Sequence, residues 1–139
     1  MGMAHACASQ SMTIATAYDS LGPIGVEHSL CQTDATAMFI DPNLIKTATE
    51  PLSKAKSVKT IIYSDKCLFE YGNAIEDFKA ARPDLRVISI AELREMGAQN
   101  PVEYVSPKPD DMFCVMYTSG SAGTPKGVVM THKALLSGG

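Results

Sequence analysis

Short apolar segments recur along the first two thirds of the chain and alternate with segments whose apolar residues have helical spacing. The apolar segments cover residues 12–17, 35–40, 59–63 and 85–90. Between the second and the third, Leu44, Ala48 and Leu52 recur every four residues, as on one face of a helix. By the same criterion, helices are predicted over residues 22–30, 44–55, 75–81 and 91–97.

This alternation predicts an α/β fold with a parallel sheet of βα units in residues 12–98. Strands that are apolar along their whole length are typical of sheets that are covered on both faces. Parallel neighbours also need a connection of a dozen or more residues, which the predicted helices supply. No solenoid repeat accompanies the alternation, so a single α/β domain is the favoured architecture.

The last third of the chain has a different organisation. Residues 99–111 contain three prolines, which exclude a helix or a central strand and indicate an extended surface connector. Residues 112–132 are predicted to form a strand, a loop rich in glycine and hydroxyl groups, and a second strand. The two strands are expected at 112–117 and 128–130 because both segments are continuously apolar.

Composition excludes several classes of function. With 12 basic and 15 acidic residues the net charge is −3, and no basic cluster is available to neutralise a nucleic-acid backbone. No apolar run has the roughly 18 residues of a membrane span, and the N-terminus lacks the basic residues that open a signal peptide. The four cysteines are too far apart for paired zinc ligands, which favours free thiols and no metal site.

The loop in residues 118–127 contains the three kinds of group that bind a phosphate chain: close backbone amides, hydroxyl donors and a cation. These groups are supplied by Gly120, Gly123 and Gly127, by Thr118, Ser119, Ser121 and Thr124, and by Lys126. A Walker-type loop is excluded, because Lys126 stands between Pro125 and Gly127 and is not followed by Ser or Thr. A long polar hairpin loop with one exposed lysine is the structural alternative.

Extended by Tyr117 and including Ala122, the loop has the sequence YTSGSAGTPKG over residues 117–127 and is followed by a strand and Thr131-His132. This run resembles the phosphate loop of the AMP-forming adenylating superfamily, which joins acyl-CoA synthetases, luciferases and peptide-synthetase adenylation domains. Three upstream segments resemble eukaryotic long-chain fatty acid CoA ligases in the same order: TAYDSLGPIGVEHSLCQTDATAMFIDPNLI, TIIYSD and VISIAELREMG. Residues 1–139 are thereby identified as a partial AMP-binding domain, a piece of the large N-terminal domain of an adenylating enzyme.

The resemblance implies an enzyme that joins a fatty acid to ATP as an acyl adenylate with loss of diphosphate, and then forms acyl-CoA with release of AMP. ATP, Mg²⁺ and CoA are the implied cofactors and substrates. All of 117–127 is the implied nucleotide-binding set, in which Thr118, Ser119 and Ser121 hold the β and γ phosphates and Lys126 neutralises the departing diphosphate. Ala122 departs from the family, where threonine is common at this position. No residue is assigned a catalytic or metal-binding role.

Full members of the superfamily are several times longer, so the resemblance implies a fragment that does not catalyse the ligation alone. Two alternatives stay open: a phosphate-binding α/β module that forms no adenylate, and a truncated, non-catalytic gene product. The expected partners are ATP and a fatty acid, without nucleic acid. The expected location is the cytoplasm, or the periphery of the endoplasmic reticulum and other lipid-metabolising membranes, without secretion.

Four further polar positions are given structural roles. His132 is predicted to cap a helix at 133–136, with a ligand contact as the alternative. Asp110 and Asp111 are predicted to be solvated loop charges, since no partner carboxylate for acid-base chemistry is identifiable. Asp19 follows the first strand at the edge where ligands of α/β sheets bind, and is predicted to be a turn or helix-cap residue.

Overall fold

The computed structural model describes residues 2–18, 21–66, 68–118 and 125–137. In chain order, the elements in these ranges are α1 (Gly2–Ala8), β1 (Ile14–Thr16), α2 (Gly22–Gln32), β2 (Ala37–Ile40), a 3-10 turn (Pro42–Leu44), α3 (Ile45–Lys54), β3 (Thr60–Tyr63), α4 (Leu68–Ala81), β4 (Arg86–Ser89), α5 (Ile90–Gln99), β5 (Met112–Thr118), β6 (Lys126–Thr131) and α6 (His132–Ser137). The chain divides into two compact units, Gly22–Pro101 and Met1–Leu21 with Val102–Gly139, which are described in turn.

The unit Gly22–Pro101 contains a sheet of three parallel strands in the order β2-β3-β4. Its central strand carries Ile61, which pairs with Met38 on one side and Val87 on the other and is 0% exposed. The connections between these strands are α3 and α4, so each crossover has the helix that a parallel pair needs. The α/β fold with a parallel sheet is thereby confirmed.

The core of this unit lies between the helices and the parallel sheet. It consists of Leu30, Ile40, Ile45, Ala48, Leu52, Ala55, Val58, Ile61, Tyr63, Ile75, Phe78 and Leu85. Ala48 and Leu52, which the helical spacing singles out, are both inside it, and Leu44 packs against it from a partly buried position. The predicted helix over 44–55 and its inward face are therefore confirmed.

The second unit is built on a mixed sheet of three strands in the order β1-β5-β6. The first strand, β1, runs parallel to β5, with Ile14 opposite Cys114 and Thr16 opposite Met116. The last strand, β6, runs antiparallel to β5 and forms a hairpin with it. Among the described strands of this sheet, only β5 has neighbours on both sides, and it carries two buried residues, Cys114 and Tyr117.

The pairing of β1 corrects the prediction of one parallel sheet through residues 12–98. Its strand character was predicted, but its partner is β5, about a hundred residues further along the chain, and not the next strand. The pattern of apolar residues identifies a strand, but it contains no information about a partner so distant in sequence. Helix α1, with no buried residue and no acidic residue in its first turn, was not predicted either.

The predicted connector 99–111 has neither helix nor strand from residue 100 onward, as its prolines require. Part of it lies against the segment after α1: the amide of Val105 donates to the carbonyl of Ser9 at 3.0 Å, and Gln10 Nε2 donates to the carbonyl of Glu103 at 3.0 Å. None of the helices within the described ranges combines the length and hydropathy that a membrane-spanning helix requires.

Candidate functional site

The predicted phosphate loop joins the ends of β5 and β6. The last paired residues before it are Thr118 and Lys126, which stand directly opposite each other in the antiparallel ladder, next to the pair of Tyr117 and Gly127. Side chains of directly opposed residues project from the same face of a sheet, with Cβ atoms about 5 Å apart. The hairpin therefore places the Thr118 hydroxyl and the Lys126 side chain on one face at the base of the loop.

Six of the predicted binding residues lie outside the described ranges, and their roles stay predictions: Ser119, Gly120, Ser121, Ala122, Gly123 and Thr124. The same applies to Asp19. The described members of the predicted set are Tyr117, Thr118, Pro125, Lys126 and Gly127. Lys126 and Gly127 belong to β6, which begins two residues before the predicted start at 128. The lysine is consequently held in a strand, where its direction is set by the pleat, and not in the free part of the loop.

The Lys126 side chain has no polar partner among the described residues. It is exposed, and no described residue forms an ion pair or hydrogen bond with its side chain. Lys54 and Lys79 in the other unit differ, since each is within 3.0 Å of a glutamate carboxylate. Thr118, opposite Lys126, is exposed as well. An ammonium group and a hydroxyl that face the same side with no carboxylate between them can both contact an anion.

Tyr117 has a different environment from its neighbour Thr118. Its side chain is only 1% exposed, and burial raises the pKa of its hydroxyl above the ordinary value of 10.0. Successive residues of a strand alternate between faces, so this buried side chain and the exposed Thr118 side chain are on opposite sides. The phenol is therefore part of the packing of the hairpin and is not on the face that carries Lys126.

The second strand of the hairpin is present as predicted, but it is not buried, although residues 128–130 are continuously apolar. Val128 is 51% exposed and Val129 is 54% exposed, although both are apolar and β-branched. Within the described ranges, β6 is an edge strand with a neighbour on one side only. Its apolar sequence reports strand propensity, whereas burial depends on what covers the strand.

The opposite end of the hairpin is tied together by Asp111. Its carboxylate Oδ2 accepts hydrogen bonds from the Lys108 amide at 2.8 Å and from Ser11 Oγ at 3.0 Å, and its carbonyl accepts from the His132 amide at 3.1 Å. The first two bonds, in that order, hold the pKa of Asp111 below its ordinary value of 3.8. Asp111 is a loop charge, as predicted, but it also has a structural role, because it joins its own loop to Ser11, a hundred residues earlier, and to the first residue of α6.

Replacing Asp111 by Asn is expected to remove an acid-sensitive part of the stability. Because the folded-state pKa of Asp111 is depressed, its contribution is present above the unfolded value of 3.8 and is lost as pH falls through the folded value. Melting curves recorded between about pH 6 and pH 2 should therefore converge for the two proteins at the acid end. Asp110→Asn, at an adjacent carboxylate that forms no hydrogen bond with the described residues, is the control and should reproduce the native pH profile. Parallel curves for Asp111→Asn would contradict this role.

His132 has a structural role, but it does not cap the last helix. Its ring makes an edge-on contact with Phe113 at 5.2 Å between centroids, and the amide of Ala134 donates to Thr131 Oγ1 at 3.2 Å, so Thr131 is the capping residue. His132 Nε2 is buried without a hydrogen-bond partner among the described residues. A shallow cavity of about 650 Å³ adjoins it, lined by Pro107, Pro109, Asp110, His132, Lys133, Leu136 and Ser137. This cavity is at the far end of β6 from the loop.

Metal-binding groups are sparse in the described part of the chain. Within it, no three His, Cys, Asp or Glu side chains come together in an arrangement that could hold a metal ion. The described residues at the loop offer the hydroxyl of Thr118 but no carboxylate, whereas Mg²⁺ in proteins is usually held by one or two carboxylates together with substrate phosphates. Cys7, Cys31 and Cys114 are free thiols, of which Cys31 is exposed.

Comparison with known proteins places the chain in a family. The AMP-binding enzyme family matches residues 1–139, the whole chain. The chain belongs to this family. Three curated relatives of the chain are the Palmitoyl-CoA ligase FUM16 of Gibberella moniliformis, Long-chain-fatty-acid–CoA ligase 4 of Saccharomyces cerevisiae and Long-chain-fatty-acid–CoA ligase 1 of Schizosaccharomyces pombe. They are 41%, 41% and 42% identical over 99%, 95% and 96% of the chain.

The similarity extends over only part of each relative. The chain spans about a fifth of the length of these ligases, covering 20%, 21% and 19% of them respectively. Among solved structures, the A domain of a carboxylic acid reductase from Segniliparus rugosus, in complex with AMP and a co-purified carboxylic acid, matches 94% of the chain with a TM-score of 0.82. The chain covers 22% of that structure at 17% identity, so the likeness concerns the fold. The fold is that of part of an adenylation domain.

Proposed function

We propose that residues 117–127 form the phosphate-binding loop of a long-chain fatty acid CoA ligase, of which this chain is a part. The observation that carries the proposal is the opposition of Thr118 and Lys126 at the base of the loop. A hydroxyl donor and an ammonium group that has no partner among the described residues lie on the same exposed face, and both suit the oxygens of a polyphosphate. Membership of the AMP-binding enzyme family implies ATP use, and the names of the relatives support CoA and a long-chain fatty acid as the other substrates.

In the proposed reaction the fatty acid carboxylate attacks the α phosphorus of ATP. The bond between carboxylate oxygen and phosphorus forms, the bond to the bridging oxygen breaks, and its electron pair leaves with diphosphate. Negative charge therefore grows on the leaving group, where the Lys126 ammonium group lies close and the Thr118 hydroxyl donates a hydrogen bond. Groups fixed before the reaction stabilise such charge most effectively, because they need no reorganisation in the transition state.

Two further elements of the proposal involve groups from outside the chain. Mg²⁺, when bound to the nucleotide, would neutralise part of the phosphate charge, and it would rely mainly on phosphate oxygens since no described carboxylate is at the loop. The CoA thiol would then displace AMP from the acyl adenylate to form the thioester. We also propose a cytoplasmic location or peripheral association with lipid-metabolising membranes such as the endoplasmic reticulum, on the strength of the lipid substrates in the names of the relatives.

A chimera tests the proposal with the rest of a ligase in place. Residues 1–139 would replace the matching segment of the S. cerevisiae ligase 4, and palmitate-dependent exchange of labelled diphosphate into ATP would be measured. The proposal predicts exchange that requires the fatty acid. A folded chimera that binds ATP but shows no exchange would favour the alternative, a phosphate-binding module that forms no adenylate. Thermal melting of the chimera beside the parent ligase verifies folding.

A further inference from the structure

Gly127 occupies a position that has no room for a side chain. A Cβ atom built on it would lie 2.9 Å from Val115 Cγ1, and 3.3 Å and 3.4 Å from Cζ and Cε1 of Tyr117. Contacts under 3.0 Å do not occur for real Cβ atoms, so one of the neighbours would have to move. The Tyr117 ring is 1% exposed, so it is packed against its surroundings. The requirement for glycine here comes from close packing between the two strands.

The close packing arises because the ring of Tyr117, on β5, lies over Gly127, on the edge strand β6. Tyr117 and Gly127 are directly opposite in the ladder, and Val115 is on the same face of β5 two residues earlier. Aromatic side chains that cover a glycine on a neighbouring strand are a known means of fixing strand register. Shifting β6 by one residue would bring Lys126 or Val128 under the ring, where neither has room.

Register matters at this end of the hairpin because the other end is irregular. The pairing of β5 and β6 contains a shift between Met112 and Cys114, whereas it is regular from Cys114 to Thr118. Three other pairs in the regular part are apolar and do not distinguish one register from another as sharply: Cys114 with Met130, Val115 with Val129 and Met116 with Val128. A shift of one residue would move the Lys126 side chain to the opposite face of the sheet.

We infer that Tyr117 and Gly127 are positioning residues: their packing fixes the register that puts Lys126 on the same face as Thr118. Neither residue contacts the phosphates. The inference rests on the proposed function of the loop, because it explains how the binding groups are aligned. It also changes the interpretation of two members of the predicted binding set, since Tyr117 and Gly127 act through Thr118 and Lys126.

Two readouts on the same variants test this inference. Backbone cross-peaks between Thr118 and Lys126 in NMR spectra report the register, and titration with inorganic diphosphate reports binding. Gly127→Ala is expected to lose the cross-peaks and to weaken diphosphate binding about tenfold or more. Val115→Ala removes the atom at 2.9 Å, so the double variant Val115→Ala/Gly127→Ala is expected to regain the cross-peaks and most of the affinity. A structural defect unrelated to register would not be rescued in this way.

Gly97→Ala is the matched control, because its added methyl group would meet nothing within 4 Å. It should leave both readouts unchanged, and an equal loss in this variant would overturn the inference. Native cross-peaks and native affinity in Gly127→Ala would also overturn it, as would weaker binding with the cross-peaks intact. Each of these results leaves the proposed function standing as long as the native chain binds diphosphate. Failure of the native chain to bind diphosphate would instead overturn the proposed function, and the positioning role with it.

Discussion

We expect Lys126→Met to lower palmitate-dependent diphosphate exchange in the chimera by about a hundredfold to a thousandfold, the usual effect of removing one preorganised group that stabilises transition-state charge. The reason is that Lys126 is the cation held at the base of the loop and has no other partner among the described residues. Its exposure makes the effect on folding small, within about 0.5 kcal/mol in the free energy of unfolding. Exchange kinetics and urea denaturation of the same variant separate the two effects.

Lys133→Met is the matched control for this prediction. Lys133 is also exposed, forms no ion pair with the described residues, and lies in α6 at the far end of the strand from the loop. Its replacement removes the same charge from the same unit and should leave exchange close to the native rate. Similar losses in both variants would show that net charge, and not the position of Lys126, determines the rate. Lys126→Arg is expected to be intermediate, since the charge is kept but the guanidinium group has a different shape.

Ile61→Ala is expected to reduce the free energy of unfolding by about 2–5 kcal/mol, the range typical for deleting a large buried aliphatic side chain. Ile61 is 0% exposed and lies on the central strand of the parallel sheet. Truncating its side chain removes packing contacts inside the core, and solvent does not replace those contacts. A single domain has only about 5–15 kcal/mol of stability, and the variant should therefore be much less stable than the native protein. Urea denaturation followed by circular dichroism measures the change.

The control for Ile61→Ala is the same substitution at an exposed isoleucine. Ile24 in α2 is 81% exposed, and Ile24→Ala should change the free energy of unfolding by less than about 0.5 kcal/mol. If the two variants were equally stable, the assignment of the core to the layer between β3 and the flanking helices would be wrong.

Much of the fold could be predicted from the sequence where the signal is local. The spacing of Leu44, Ala48 and Leu52 is set by the helix repeat, and the structure has those residues at or in the core. The Ser89-x-x-Glu92 pattern also marks the start of α5: Glu92 N donates to Ser89 Oγ at 3.0 Å, and Ser89 N donates to Glu92 Oε2 at 2.7 Å. Helix α5 begins at Ile90, directly after the Ser89 cap, one residue before the predicted start.

The features that escaped prediction depend on contacts between distant segments. The pairing of β1 with β5 and the hydrogen bond from Ser11 to Asp111 each join residues about a hundred positions apart. The bond from the Lys108 amide to Asp111 is local, but it lies in a loop without periodicity. At the site, the motif indicated the chemistry of Thr118 and Lys126, but their opposition follows from a hairpin register that residue spacing does not define. The burial of Tyr117, the residue before Thr118, is likewise a property of the assembled sheet.

The most direct test of the phosphate-binding loop is an NMR titration of the isotopically labelled chain with magnesium-ATP. We expect saturable shifts of the backbone amide signals that are largest for Thr118, Lys126 and the residues between them, and that are strongly reduced in Lys126→Met. Absence of any shift at these amides, or shifts confined to the cavity beside His132, would contradict the assignment of this loop to the nucleotide.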